Sequence, residues 1–457
     1  MHSLSFSIAE AARALRRGET TSAGLVRAGL DAVRKHDALL NAVLHLSPTA
    51  LEEAERLDAE ARGGSFRGAL HGIPLIIKDN IDVAGMPTTV GSPLFADAPA
   101  ARSDATAAAR LRAAGAVLLG KANLDELAAH VSGTTSFFGP TVNPWQRERR
   151  LSPGGSSSGT AAAMAAGYCC AGLGTDTGGS TRLPAGWCGL CGLRPTHGQI
   201  DLAGVYPRAA SLDTVGLLAR SVRDIEILLR VIADPPLRHA LERPFPTAKR
   251  RIGVFPDLVE AKAGRKTALR YAAAMRRWES LGAACVPVDF PLLDAPAVGE
   301  AVNAVRSFEF ARDVARDVEK HPRLGRMHPV PLADYRNGQA IAPETYEAAR
   351  RYGAALTHEV ETLFARHALD WLCLPVAFRA APPVDSPLET FAAGRALVNL
   401  FSITGMPTLV VPGWTEGDGL PLGIQLVGPR LSERLLLDAG IAYEDRYGPF
   451  PLPRLEG

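Results

Sequence analysis

Two short apolar runs, "IPLII" at 73–77 and "AVLLG" at 116–120, flank the helical stretch "ARSDATAAARLRAAGA". A strand, a helix and a second strand in that order join most simply as neighbours in one sheet, with the helix crossing a face. The pattern therefore predicts an α/β chain on a largely parallel or mixed sheet covered by helices, with Ser103 or Asp104 capping the crossover helix. "RIGVFP", a helix from about Lys266 to Leu281 and "CVPVDF" read as another such unit. Strand-like runs return in "DWLCLPV", "PTLVVPGW" and "PLGIQLVGP", and a helix follows from Ser432. From Ile8 to about Arg62 the apolar residues recur at helical spacing, as in helices that wrap a core built later. Residues 233–249, rich in proline and polar groups, read as a linker. Residues 321–343, with prolines and glycines but no clear period, read as a loop that shapes a binding site.

At 457 residues the chain can bury a substantial core. Its 47% hydrophobic and 21% charged residues exclude a disordered chain, and a formal charge of only +2 gives no reason to expect nucleic acid or an anionic membrane as partner. The first residues lack a basic segment followed by an apolar run, and the longest stretch of small and apolar residues is interrupted by glycines, so a cytoplasmic chain is expected. Reduced, mostly buried thiols are expected at Cys169, Cys170, Cys188, Cys191, Cys285 and Cys373. The C-x-x-C of Cys188 and Cys191 has no second pair for zinc and no redox-fold context.

The segment "SPGGSSSGTAAAMAAG", 152–167, crowds three serines between glycines. "GSSSG" formally matches a nucleophile elbow centred on Ser157, but the polar, proline-broken residues before it are not the strand an elbow requires. A phosphate loop is disfavoured because no Gly-Lys-Ser/Thr follows. The bland reading is that Ser156 to Ser158 cap the helix "GTAAAMAAG". A second cluster, "GLGTDTGGSTRLPAG" at 172–186, places successive glycines before Ser180, where adjacent backbone N–H groups can converge on an oxyanion. Lys78 follows four apolar residues. Burial there would lower its pKa and leave a neutral amine able to act as a base, whereas an exposed strand end would pair it with Asp79.

"HGIPLIIKDNIDVAGMPTTVGS", "GKANLDELA", "FGPTVNPW", "SPGGSSSGTAAAMAAG" and "GLGTDTGGSTRLPAGWCGLCGLRPTHG" together resemble the amidase signature family. The likeness runs from about residue 68 to 230 and resumes at 399–429. It implies a single amidase domain over 1–457 on a large mixed sheet with helices on both faces. Within it lie N-terminal helices (1–65), a signature core (66–232), a divergent substrate-shaping region (233–365) and a C-terminal part of the core (366–457). It also implies a catalytic triad: Ser180 as nucleophile, Ser156 as a relay preceded by a cis peptide bond, and Lys78 as base. The N–H groups of Thr177, Gly178, Gly179 and Ser180 would form the oxyanion hole. Gly133 and Thr134 match a segment that lines the family's cleft, and Ser157, Asp176 and Arg182 support the nucleophile. No metal or organic cofactor is implied. Ser158 stands where the family often has glycine, which bears on loop shape only.

The wording around Ser180 is closest to hydrolases of aryl or arylalkyl amides, some of whose relatives cleave anilides and carbamates. The expectation is thus an amidase for small amides, with carbamates as a further class, working as monomer or homodimer without nucleic acid or membrane. Phe137, Phe138, Trp187 and Trp414 are candidates for an apolar pocket, and His130 and His197 for hydrogen-bonded structural histidines. Two alternatives are the amidase component of a tRNA-dependent amidotransferase and a non-catalytic binding protein on the same fold.

Overall fold

The computed structural model describes residues 6–243, 250–415, 419–453 and 455. Its centre is one sheet built from β1 (Val43–Leu46), β2 (Pro74–Lys78), β3 (Val117–Ala122), β4 (Ala171–Thr175), β5 (Cys191–Arg194), β6 (Val215–Ala219), β7 (Arg251–Val254), β8 (Ala284–Pro287), β9 (Trp371–Pro375), β10 (Thr408–Thr415) and β11 (Pro421–Val427). The spatial order is β1-β3-β2-β4-β6-β5-β10-β11-β9-β7-β8. β3, β2 and β4 run parallel at one side, and β9, β7 and β8 at the other. The strands from β4 through β6, β5, β10 and β11 to β9 are antiparallel neighbours, so the sheet is mixed. Both β-α-β units appear as the alternation predicts: helix Thr106–Ala113 joins β2 to β3, and helix Pro256–Ser280 joins β7 to β8.

Three local expectations are corrected. Ala105, not Ser103 or Asp104, precedes the crossover helix. The Asp104 carboxylate is engaged elsewhere, by the Ala84 N–H at 2.8 Å and Arg112 Nε at 2.8 Å. The linker contains helix Pro235–Leu241, and its residues 244–249 lie outside those described. Within 321–343 runs helix Pro329–Ala340, whose capping His328 accepts from the Val330 N–H. Prolines that suggested irregular chain instead begin helices at Pro235, Pro329 and Pro343, as Pro256 and Pro296 also do. At the first helical position a missing N–H costs nothing and the fixed φ suits the helix.

Close packing around small residues sets up the site. Helix Ser158–Ala165 is buried on every side, as an alanine-rich segment without charge permits. A Cβ on Gly159 would lie 2.3 Å from the Ala42 carbonyl oxygen, and one on Gly172 would lie 2.6 Å from Thr160 Cγ2. Glycine at these two positions brings the helix down onto β4, beside β2.

Candidate active site

Lys78 ends β2 and points into the interior, with no solvent exposure. Its Nζ lies 2.7 Å from Ser156 Oγ and 2.7 Å from Thr175 Oγ1, and Asn80 Nδ2 donates to the same Thr175 oxygen at 3.1 Å. The pairing with Asp79 is not found. Successive side chains of a strand point to opposite faces, and Asp79 instead meets Lys121 of β3 at 2.9 Å. Burial pushes the Lys78 ammonium down from its ordinary 10.5 to about 7, against the opposing pull of Asp125, Asp176 and Asp213.

The Gly155–Ser156 peptide bond is cis. Ser156 has no exposure, whereas Ser180 and Thr177 keep 4%, so the Lys78, Ser156 and Ser180 positions run from the interior outward. The Ser157 N–H donates to the Ser180 carbonyl at 3.1 Å and ties the two serine turns together. Ser157 does not cap its helix. Its hydroxyl lies 3.3 Å from both the N and O of Thr175, stitching the helix start to β4. Ser158 likewise faces sideways, 3.2 Å from Thr141 Oγ1.

Asp176 holds the nucleophile turn. It accepts from the N–H groups of Gly179 at 2.8 Å, Thr181 at 3.1 Å and Arg182 at 3.3 Å, and from Arg182 Nε at 3.0 Å and Nη2 at 2.9 Å. Arg194 donates to its carbonyl. Burial alone would raise this carboxyl, but Arg182 and Arg194 hold it well below the usual range, so it stays ionised. Of the four N–H groups in the expected oxyanion set, that of Gly179 donates to Asp176. The N–H groups of Thr177, Gly178 and Ser180 meet no acceptor among the described residues. A Cβ on Gly178 would meet nothing within 4 Å, so that face of the turn is open. Gly179 (φ +101°) needs its missing side chain, since a Cβ would lie 2.7 Å from Val398 Cγ2.

Asp125, which sequence reasoning did not single out, organises the Ser132–Thr135 turn packed against Gly155 and Ser156. Its carboxylate accepts from the N–H groups of Gly133 at 2.8 Å, Thr134 at 3.0 Å and Thr135 at 3.1 Å, and from the hydroxyls of Ser132 and Thr135. The Gly133 and Thr134 N–H groups therefore face Asp125. Asp213 anchors the Thr177 hydroxyl at 2.5 Å. Thr175 could have been found as the polar end of the apolar run of β4, whereas Asp125, three residues beyond β3, carries no such signal.

A protein-family model described as Amidase matches residues 24–437. Among curated proteins, the A component of the glutamyl-tRNA(Gln) amidotransferase of Synechococcus sp. (strain CC9311) is 33% identical over 96% of each chain. The protein of the same name from Deinococcus radiodurans is 35% identical over 94% of this chain and 95% of its own. The chain belongs to the amidase signature family. A solved amidase structure superposes with TM-score 0.86 at 33% identity, covering 96% of this chain and 100% of that one. The peptide amidase of Stenotrophomonas maltophilia does so with TM-score 0.85 at 32% identity over 99% of each. As a member of this family the chain is an enzyme of amide C–N bond hydrolysis.

Two of the amidase's four aromatic candidates, Trp187 and Trp414, lie in the core. Trp187 is 1% exposed with its Nε1 donating to the Arg379 carbonyl, and Trp414 is buried in the core. Phe137 and Phe138 form an edge-to-face pair, and Arg326 stacks on Phe137. His197 is hydrogen-bonded, its Nε2 lying 3.1 Å from the Ala210 carbonyl oxygen, but the buried Nδ1 of His130 has no partner among the described residues. Burial lowers His130 to about 4, so it is neutral at pH 7. No helix of the described residues is long and apolar enough to cross a membrane. All six cysteines are free, and Cys285 alone is only partly buried.

Proposed function

We propose that the protein hydrolyses small-molecule amides through an acyl-enzyme on Ser180, with Ser156 as relay and Lys78 as base. The supporting observation is the 2.7 Å approach of Lys78 Nζ to Ser156 Oγ, in surroundings dry enough to bring the lysine to about 7. A neutral Nζ takes the Ser156 hydroxyl proton while Ser156 Oγ takes that of Ser180. Ser180 Oγ attacks the carbonyl carbon, and the N–H groups of Thr177, Gly178 and Ser180 receive the developing oxyanion. As the C–N bond breaks, the relay returns a proton to the departing nitrogen, and water then releases the acid. Gly179, Asp176, Arg182 and Ser157 hold the turn, and Gly133 and Thr134 form the wall carried by Asp125. Aryl and arylalkyl amides, anilides and carbamates are the substrate classes that the sequence resemblance favours.

Intact-protein mass spectrometry after treatment with a fluorophosphonate tests this reading, alongside turnover of a panel of nitroanilides and aryl carbamates. One adduct on Ser180, absent from Ser180→Ala, with turnover of a panel member, is the expected result. No adduct, or one on Ser157, overturns it. Identity of 33–35% to amidotransferase components supports a second reading, as the amidase component of such a complex. Copurifying partner proteins and glutamine-dependent transfer would establish that reading over a free-standing hydrolase.

A further inference from the structure

Three arginines from distant parts of the chain gather near the nucleophile turn, Arg208 and Arg395 buried and Arg306 nearly so, with more donors than acceptors. Arg208 is 1% exposed, Arg395 8%, and the Arg306 side chain 12%. The Arg208 N–H donates to Asp213, the same carboxylate that holds the Thr177 hydroxyl. Arg395 directly precedes helix Ala396–Ile403, whose Val398 packs on Gly179 and accepts Arg182 through its carbonyl. Arg306 lies on helix Pro296–Val318 and shares Asp334 with Arg208: Arg208 Nη2 bonds that carboxylate, and Arg306 Nε stands 3.8 Å from it. Burial lowers the pKa of all three, and the charge of Arg395 adds to the effect at Arg208 and Arg306.

Arg208 Nε and Nη1, Arg306 Nε, Arg395 Nε and His130 Nδ1 are buried without a hydrogen-bond partner among the described residues. The neighbouring carboxylates do not supply one. Asp125 is engaged by the Ser132–Thr135 turn, and Asp213 by Thr177, Arg208 N and Ala209 N. Among the described residues Asp334 alone pairs with the cluster, and it also accepts from Ser307 Oγ. The other buried cations of the site differ: Lys121 has Asp79 and Arg182 has Asp176. Buried guanidinium N–H groups without acceptors are costly, and an anionic group reaching them would satisfy several at once. Phe310 stacks on Arg208 with the guanidinium carbon 4.0 Å from the ring centroid and fixes the plane of its fork.

We propose that Arg208, Arg306 and Arg395, with His130, form an acid-binding subsite of the active site, and that the preferred substrate is an amide that also carries a carboxylate. The proposal rests on the amidase reading above. A guanidinium fork matches a carboxylate with two parallel hydrogen bonds, and neutral His130 adds a ring nitrogen that can donate a third. The substrate's carboxylate would lie on the side of the Ser180 turn formed by Thr177 and Val398, and would fix which carbonyl meets Ser180.

The test compares kcat/KM for succinic and glutaric acid monoamides with the matching amides that end in a hydroxymethyl group, and measures inhibition by the free dicarboxylates and by the corresponding diols. The acids are expected to be preferred by about 30-fold or more, a ratio that falls toward one in Arg395→Gln. Competitive inhibition by dicarboxylate but not diol is expected of the wild-type enzyme, and this arm decides the matter if Arg395→Gln does not fold. Fluorophosphonate labelling of Ser180 runs in parallel. Labelling with equal turnover of acid and alcohol overturns the acid subsite alone. Absence of both labelling and amide turnover overturns the amidase reading with it. Inhibition by inorganic sulfate as strong as by dicarboxylate, without preference among the amides, also overturns the subsite.

Discussion

Asp176 and the arginine cluster both border the Ser180 turn and treat buried charge in opposite ways. Asp176 is a fully buried carboxylate surrounded by donors: three backbone N–H groups, the Arg182 guanidinium and Arg194. Arg208, Arg306 and Arg395 are buried cations with N–H groups that nothing in the described chain accepts. The first arrangement is complete within the protein, so its role is to fix the Ser180 turn. The second is incomplete, and a buried group left incomplete points outward to a ligand.

The largest expected effect separates chemistry from scaffold. Lys78→Ala should lower kcat by about 10^4-fold in steady-state assays, comparable to removing a member of other serine triads. A loss below tenfold would show that the lysine is not the base. Next, Asp176→Ala leaves Arg182 and Arg194 buried without their anion and should cost about 3–5 kcal/mol in urea denaturation. Stability within 1 kcal/mol of wild type, roughly the range of a neutral surface change, would mean that the turn does not depend on that anion.

A smaller effect comes from proton linkage. The folded chain releases the Lys78 proton near pH 7, whereas the ordinary value is 10.5. Between those values the unfolded state binds more protons, so stability should rise with pH there, by about 1–2 kcal/mol between pH 7 and 8.5. Lys78→Met should flatten that slope, and an unchanged slope would assign it to another group. The same titration makes kcat/KM rise through about pH 7 as Nζ becomes neutral. The smallest effect sharpens the contrast most: Arg306→Met should leave ligand-free stability unchanged or raise it by roughly 1 kcal/mol, because it removes a buried charge without a full partner. A loss as large as that of Asp176→Ala would make the cluster structural.

Much of this was legible in the chain itself. The runs at 73–77 and 116–120 became parallel neighbours because strand and helix periods are written locally. Lys78 stood out by its apolar approach and Ser180 by its glycine-rich turn, whereas Ser156 was separated from its neighbouring serines only by the family resemblance. The serines of 156–158 were harder, because whether a hydroxyl caps a helix or bonds a neighbouring strand depends on what packs beside it. Proline misled at 233–249 and 321–343, since a proline that breaks one element also serves at the first position of the next. Trp187 and Trp414 misled for a related reason: a large ring signals burial without saying whether it meets core or cleft.

By itself the sequence determined the class of sheet, the β-α-β units at both sides, the strand that ends in Lys78 and the glycine-rich serine turns, because each depends on residues a few positions apart. Only the tertiary structure decided that Gly179 gives its N–H to Asp176 and that Asp125 holds the Ser132–Thr135 wall. It alone brought Arg208, Arg306 and Arg395 to one place. These depend on which buried donor finds an acceptor, and that is settled between segments far apart in the chain, where local pattern carries no information.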